Sequence, residues 1–162
     1  MASEIVTYRG SGLNLRSELY LPAGSGRKSA VLVFPDVFGL GDHVRERAER
    51  LAKLGHAALA CDIHGEGKLF DKIDAAIENL QPLYDDAETF RGVGLAALNA
   101  LAVRADIDAT RMASIGFWVP CPVSDLMCSM NQTVDCLRPP CQSAVSPSFT
   151  EKYWHSPFHG HV

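Results

Sequence analysis

A chain of 162 residues, 47% hydrophobic and 21% charged, is long enough for one globular domain with a sizeable core. Its formal net charge of −4 argues against the basic face that a nucleic-acid partner needs, and no apolar run reaches the ~18 residues of a membrane span. The opening MASEIVTYRG lacks the basic start and apolar stretch of an export signal, so a cytoplasmic location is expected.

The segments EIVTYRG and LNLRSELYLP read as two strands joined by Gly10-Ser11-Gly12, a hairpin signal. In the second, Leu13, Leu15, Leu19 and Leu21 share a face that Ser17 interrupts. PAGSGRKS is a polar loop, and AVLVF is a short, β-branched apolar run suited to a strand buried on both faces. In PDVFGLGDHVRERAERLAKLGHAALACD, Asp42 is placed to N-cap a helix from about His43. Val44, Ala48, Leu51 and Ala52 form its apolar face, and Gly55 suits the position just past its end. HAALAC is a second buried strand, which completes a βαβ unit with a parallel pair.

DKIDAAIENLQP predicts a short helix with Ile73, Ala76, Ile77 and Leu80 on one face, ended by Pro82. A longer helix is predicted from about Asp85 to Ala102, with Phe90, Val93, Ala97, Leu98 and Leu101 facing inward. RADIDATR then reads as a loop and MASIG, Met112 to Gly116, as a third buried strand. Residues up to 117 therefore predict an α/β domain, mostly parallel with an antiparallel hairpin at its edge.

After Phe117 the periodicity fails. Four of the five cysteines (Cys121, Cys128, Cys136, Cys141) and six of the nine prolines lie beyond it, while only Arg138, Lys152, Asp125, Asp135 and Glu151 carry charge. Two divisions are expected: 1–117, an α/β region, and 118–162, an irregular divergent tail. Such a change in composition suits a shifted reading frame, a retained intron or alternative splicing, with a genuine short variant as the alternative.

Three constellations could carry chemistry. The first is FPDVFGLGDH with Asp62 about 20 residues on, most of a dinucleotide fingerprint in which backbone approaches a pyrophosphate at a helix N-terminus. Val44 at the third glycine position and the four residues between strand and Gly39 count against it, and leave Gly39 and Gly41 as loop-shaping residues. The second is the end of MASIGF. A nucleophile elbow reads glycine, any residue, Ser or Cys, any residue, glycine. Gly116 and Phe117 fit, but Trp118 occupies the nucleophile position and Pro120 the next glycine. Indole carbon does not attack a carbonyl, and proline fixes φ and removes a donor. The third is the tail's Cys136-x4-Cys141, at the long end of the zinc spacing and holding two prolines, with His155-x3-His159 as a candidate second pair. No metal and no cofactor are expected. Cys61 reads as a small core residue, and His56 and His64 as strand-end residues facing a loop or the surface.

VLVFPDVFGLGDHVRERAERLAKLGHAALACDIHGEG, followed by RMASIGF, resembles the dienelactone hydrolase (carboxymethylenebutenolidase) family of α/β-hydrolases over roughly residues 4–117. The resemblance implies a partial α/β-hydrolase fold, truncated after the strand leading to the elbow. It implies a hydrolase of lactones or small carboxylic esters with a small-molecule partner. In that family the elbow reads G-[FY]-C-x-G-G, and an Asp and a His follow much later. By the resemblance, Asp36 stands where an acid influences the thiol's ionisation, and Val37 where a backbone N–H helps form the oxyanion hole. Asp62, Ile63 and His64 match a segment near the substrate pocket. Trp118 stands at the nucleophile, and no residue of the tail matches the distal Asp or His. This chain is therefore expected to be inactive, the alternatives being a non-catalytic binding or regulatory variant and, less favoured, a nucleotide-binding module. An open sheet edge after MASIG would favour self-association.

Overall fold

In a computed structural model of the chain, the structure describes residues 3–116. Strand β1 (Ser3–Gly10) and strand β2 (Leu13–Tyr20) pair antiparallel from Ser3↔Tyr20 to Gly10↔Leu13. Ser11 and Gly12 form the two-residue connection with φ of +49° and +80°. Positive φ at both positions matches the turn twist to the strand twist, which is why this short link closes a hairpin. The expected hairpin is thus present, with the expected connection.

Strand β3 (Lys28–Phe34) leads through a loop to helix α1 (Asp42–Lys53), which returns to strand β4 (Ala57–Ala60). The chain then runs through helices α2 (Ile73–Asp85) and α3 (Ala87–Ala102) to strand β5 (Ile107–Gly116). The sheet order is β1-β2-β4-β3-β5, with β3 parallel to both β4 and β5 and β2 antiparallel to β4. This mixed α/β sheet of five strands is the fold class expected from the sequence.

Each face of the sheet has its own core. Val44, Ala48 and Ala52 of α1 pack with Tyr20, Val33, Ala58 and Ala60 on one side. On the other, Ala76, Leu80 and Leu83 of α2 and Val93, Ala97, Leu98 and Leu101 of α3 meet Leu15, Leu19, Leu32 and Leu59. Truncating any one of these fully buried leucines to alanine would cost about 2–5 kcal/mol. The chain leaves β3 over one face toward β4 and reaches β5 over the opposite face. In such a doubly wound sheet, the crevice for ligands lies at the carboxyl ends of the strands where the direction of winding changes. Here that point is the end of β3.

Four local expectations are corrected. Asp42 is the first residue of α1 rather than its cap; Gly41 holds the cap position with no side-chain bond, and the Asp42 carboxylate lies 3.6 Å from Arg45. Pro82 does not end α2, which continues to Asp85 because buried Leu80 and Leu83 hold that turn against the core. One missing N–H near a helix end removes a single ladder bond. Helix α3 starts at Ala87, and the Asp86 carboxylate caps it by accepting the Glu88 N–H at 3.1 Å. Strand β5 starts at Ile107, inside the stretch read as a loop, because Ile107 is buried and pairs with Lys28. An irregularity follows before Ala30↔Met112, where Asp108 accepts from the Thr110 N–H and hydroxyl.

MASIG is only partly buried. Met112 is inside, but Ile115 is 37% exposed, since β5 has β3 as its one partner strand among the described residues. Among those residues no helix is long and apolar enough to cross a membrane.

Candidate active site

Two loops meet at the carboxyl ends of β3 and β4. The first, Pro35 to Gly41, begins with a turn in which the Asp36 carbonyl accepts the Gly39 N–H at 3.3 Å. The Asp36 carboxylate reaches forward to accept the Phe38 N–H at 2.9 Å, the local bond that makes aspartate a turn former. These two bonds fix the peptide between Asp36 and Val37. Its carbonyl points into the turn, and in a trans peptide the N–H points the opposite way. Among the described residues the Val37 N–H meets no acceptor. The Val37 side chain is buried in the core, so the residue is anchored while its N–H is left available.

The second loop, Cys61 to Phe70, is organised by Asp62. Its buried carboxylate accepts four backbone N–H groups: those of His64 and Gly65 at 3.0 Å each on one oxygen, and Arg16 at 2.9 Å and Gly67 at 2.7 Å on the other. The Asp62 N–H in turn donates to the Ser17 hydroxyl at 2.9 Å, which lies 2.7 Å from the Tyr8 hydroxyl. This accounts for the serine that interrupts the leucine face of β2. Ser17 is fully buried and joins hairpin to loop. Burial raises the Tyr8 phenol well above its ordinary value, so it stays a neutral partner.

His64 ties the two loops together. It lies in a loop, as expected, but is buried rather than at the surface, because the loop folds back over the β3 turn. Its Nε2 lies 2.8 Å from the Val37 carbonyl, and its Nδ1 lies 2.9 Å from the Asn79 side-chain nitrogen on α2. An amide nitrogen only donates, so Nδ1 accepts and Nε2–H donates to Val37. Burial lowers the His64 pKa, outweighing the opposite pull of the Val37 carbonyl and of Asp62. The ring packs on Phe70, with centroids 4.6 Å apart.

Gly39 is required where it stands. Its φ is +97°, and a Cβ there would lie 2.5 Å from the Lys68 carbonyl oxygen and 2.8 Å from His64 Cδ2. Gly41 donates its N–H to the Gly39 carbonyl at 2.8 Å. The two glycines therefore shape the loop and seat it on its neighbour, the bland reading of the G-x-G pattern.

Beside this turn lies a cavity of about 90 Å³ lined by Asp36, Phe38, Gly39, Gly41, His43 and Val44. A larger open groove of about 490 Å³ crosses the hairpin face past Arg9, Arg16 and Glu66; neither Asp36, Val37 nor His64 lines it. Strand β5 delivers the chain at Gly116 directly opposite Phe34, three residues before Val37. Three features meet there: the Asp36 carboxylate, a Val37 N–H without an acceptor among the described residues, and the carboxyl end of β5. Trp118 and the cysteines and histidines of the tail lie outside the described residues.

The dienelactone hydrolase family model matches residues 15–135, most of the chain. The chain belongs to the dienelactone hydrolase family. The matched span omits the first strand and runs past Phe117 to Asp135. Among curated relatives, a Bradyrhizobium protein named "Probable 2-oxo-3-(5-oxofuran-2-ylidene)propanoate lactonase" is 36% identical over 116 residues, 67% of this chain and 45% of the relative.

Solved structures in the family agree. The protein called m3DLH is 39% identical with a TM-score of 0.67, over 72% of this chain and 49% of its own. A dienelactone hydrolase-like promiscuous phosphotriesterase from metagenomic libraries is 38% identical with the same TM-score of 0.67, over 72% of this chain and 48% of its own. The chain thus spans under half the length of these relatives. Asp36 and Val37 lie on the turn that follows β3. Asp62 and His64 lie at the adjoining loop, where Asp62 has both oxygens engaged by backbone and His64 both nitrogens engaged by Val37 and Asn79. The roles of Ser17 and Asn79 were not read from sequence. Ser17 did leave a signal, as a polar residue in the middle of an apolar face. Asn79 sits on the polar side of α2 and left none.

Proposed function

We propose that this scaffold serves the hydrolysis of lactones or small carboxylic esters, and that this chain does not complete the reaction. The observation that carries the first part is the Val37 N–H. It stands past the end of β3, beside the carboxyl end of β5, directed by the Asp36 turn and free of any acceptor among the described residues. An N–H held in this way can stabilise the negative charge that develops on a carbonyl oxygen under attack, at no reorganisation cost. The family reaction would run by thiolate attack on the carbonyl carbon, collapse to a thioester with release of the alcohol arm, and hydrolysis of the thioester by water. The Bradyrhizobium relative's named substrate, an unsaturated five-membered lactone with an acid side chain, supports lactones as the class.

The second part rests on Trp118. At the elbow's nucleophile position it offers no sulfur or oxygen to form the acyl bond, and Pro120 replaces the glycine that the turn needs. A purified full chain should hydrolyse an activated aryl ester or a dienelactone no faster than buffer does. Turnover that is abolished by chain-specific unfolding and retained through purification would overturn this reading. A nucleotide-binding role is disfavoured, because the space a pyrophosphate would need at Gly39 is taken by His64 and the Lys68 carbonyl.

A further inference from the structure

The loop that carries the Val37 N–H is held by a residue type with a choice of states. The Val37–Phe38 peptide is gripped at both ends: its N–H by the Asp36 carboxylate at 2.9 Å and its carbonyl by His64 Nε2 at 2.8 Å. A phenylalanine would fill the same space against Phe70, but it could not hold the carbonyl. A histidine holds it only when the proton sits on Nε2, and Asn79 provides that condition by donating to Nδ1. Asn79 belongs to α2, which Ala76, Leu80 and Leu83 fasten to the core. The hydrogen-bonded line therefore runs from a packed helix, through one ring, to the turn.

We propose that His64 is a positioning residue: as the Nε2–H tautomer selected by Asn79, it fixes the Val37–Phe38 peptide and so the direction in which the Val37 N–H points. The proposal deepens the reading of that N–H as an oxyanion donor and rests on it for its functional meaning. Its geometry can be tested separately. The charged groups facing the ring are Asp62 and Lys68 from its own loop and Asp36 from the β3 turn; α2 presents the neutral Asn79. Replacing Asn79 with aspartate would therefore place a carboxylate against Nδ1 and favour the doubly protonated ring.

The test uses the full chain labelled with ¹⁵N. Two-bond proton–nitrogen correlations report the tautomer of His64, and a pH titration follows the ring together with the Val37 and Phe38 amides. We expect the Nε2–H pattern at neutral pH, and the two amides to shift with the same midpoint as the ring, below the ordinary histidine value. Asn79→Asp should move that shared midpoint upward by about one pH unit or more. A Nδ1–H tautomer in the unaltered chain would overturn the proposal, and so would amides that ignore the ring's titration. If Asn79→Asp fails to fold, Asn79→Leu serves, with loss of the single-tautomer pattern expected and its retention contradicting the proposal. None of these readouts depends on ester turnover, so failure here is distinguishable from failure of the hydrolase reading.

Discussion

His64 Nε2 donates to the Val37 carbonyl across 2.8 Å, joining loops at the ends of two adjacent strands 27 residues apart in sequence. Because burial lowers its pKa, the folded chain keeps this ring neutral where an unfolded chain would protonate it. The sign follows from proton counting. Above the unfolded value of 6.5 both states are neutral and the contribution to stability is complete. As pH falls from 6.5 toward the lower folded value, the unfolded state binds a proton that the folded state refuses, and stability declines by up to about 1.4 kcal/mol per pH unit. Asp86 and Asp106 have lowered values and lose their contributions only below the ordinary carboxylate range, so they do not blur this window. Urea midpoints measured from pH 7.5 to 5 should fall for the unaltered chain and stay nearly level for His64→Gln.

Asp62 is the residue on which the second loop depends. Asp62→Ala would strand four N–H groups, of His64, Gly65, Arg16 and Gly67, at a buried point. Bonds to a charged acceptor contribute about 1.5–3 kcal/mol each, so the loss should exceed about 3 kcal/mol even after water satisfies part of it. Equilibrium denaturation reads this directly. A cost under about 1 kcal/mol would show that the loop does not need the carboxylate.

Ser17 and Tyr8 should respond unequally. Ser17→Ala leaves the buried Asp62 N–H without its acceptor and should cost about 1–3 kcal/mol. Tyr8→Phe leaves Ser17 still accepting from Asp62 and should cost less, about 1 kcal/mol. Equal costs, or the reverse order, in paired unfolding curves would contradict the direction of this chain of bonds.

Gly39→Ala combines two penalties, a positive φ and a Cβ placed 2.5 Å from a backbone oxygen that cannot turn aside. The strained conformation alone costs about 1–3 kcal/mol, and the steric clash adds to it. The expected result is a lowered unfolding midpoint together with loss of the His64–Val37 hydrogen bond, visible in the ring's nitrogen shifts.

Much of the fold was legible because local signals agreed with the global arrangement. Gly10-Ser11-Gly12 marked the hairpin, the apolar run AVLVF marked β3, and Gly55, with φ of +96°, marked the end of α1. Tertiary context overrode the local signal elsewhere. Pro82 stayed within α2 because its neighbours were buried, and Ile107 joined β5 because it could pair with Lys28 across a stretch that looks like a loop. Of the site, Asp36 and Val37 were singled out by the family resemblance, not by periodicity or spacing. The burial of His64 could not be read from the sequence, since it depends on its loop folding over the turn after β3 and on Asn79 arriving from α2.

The elbow offers a further check. On the proposed reading, Trp118→Cys puts a sulfur at the nucleophile position but leaves Pro120 in place of glycine and supplies no matching distal Asp or His. Triad members act as a unit, so the single change should restore no turnover. Ester hydrolysis by that variant above the unaltered chain would show that a general base is at hand.

The central claim is that this dienelactone hydrolase-family chain carries the oxyanion side of the site without a group that can be acylated there. The most direct test is to expose the folded full chain to a p-nitrophenyl ester, follow nitrophenolate release, and weigh the intact protein. The account predicts release at the buffer rate and no stoichiometric burst or acyl adduct. A burst of about one equivalent with an acyl group mapped to a single residue would contradict it, and would name the nucleophile that replaces the missing thiol.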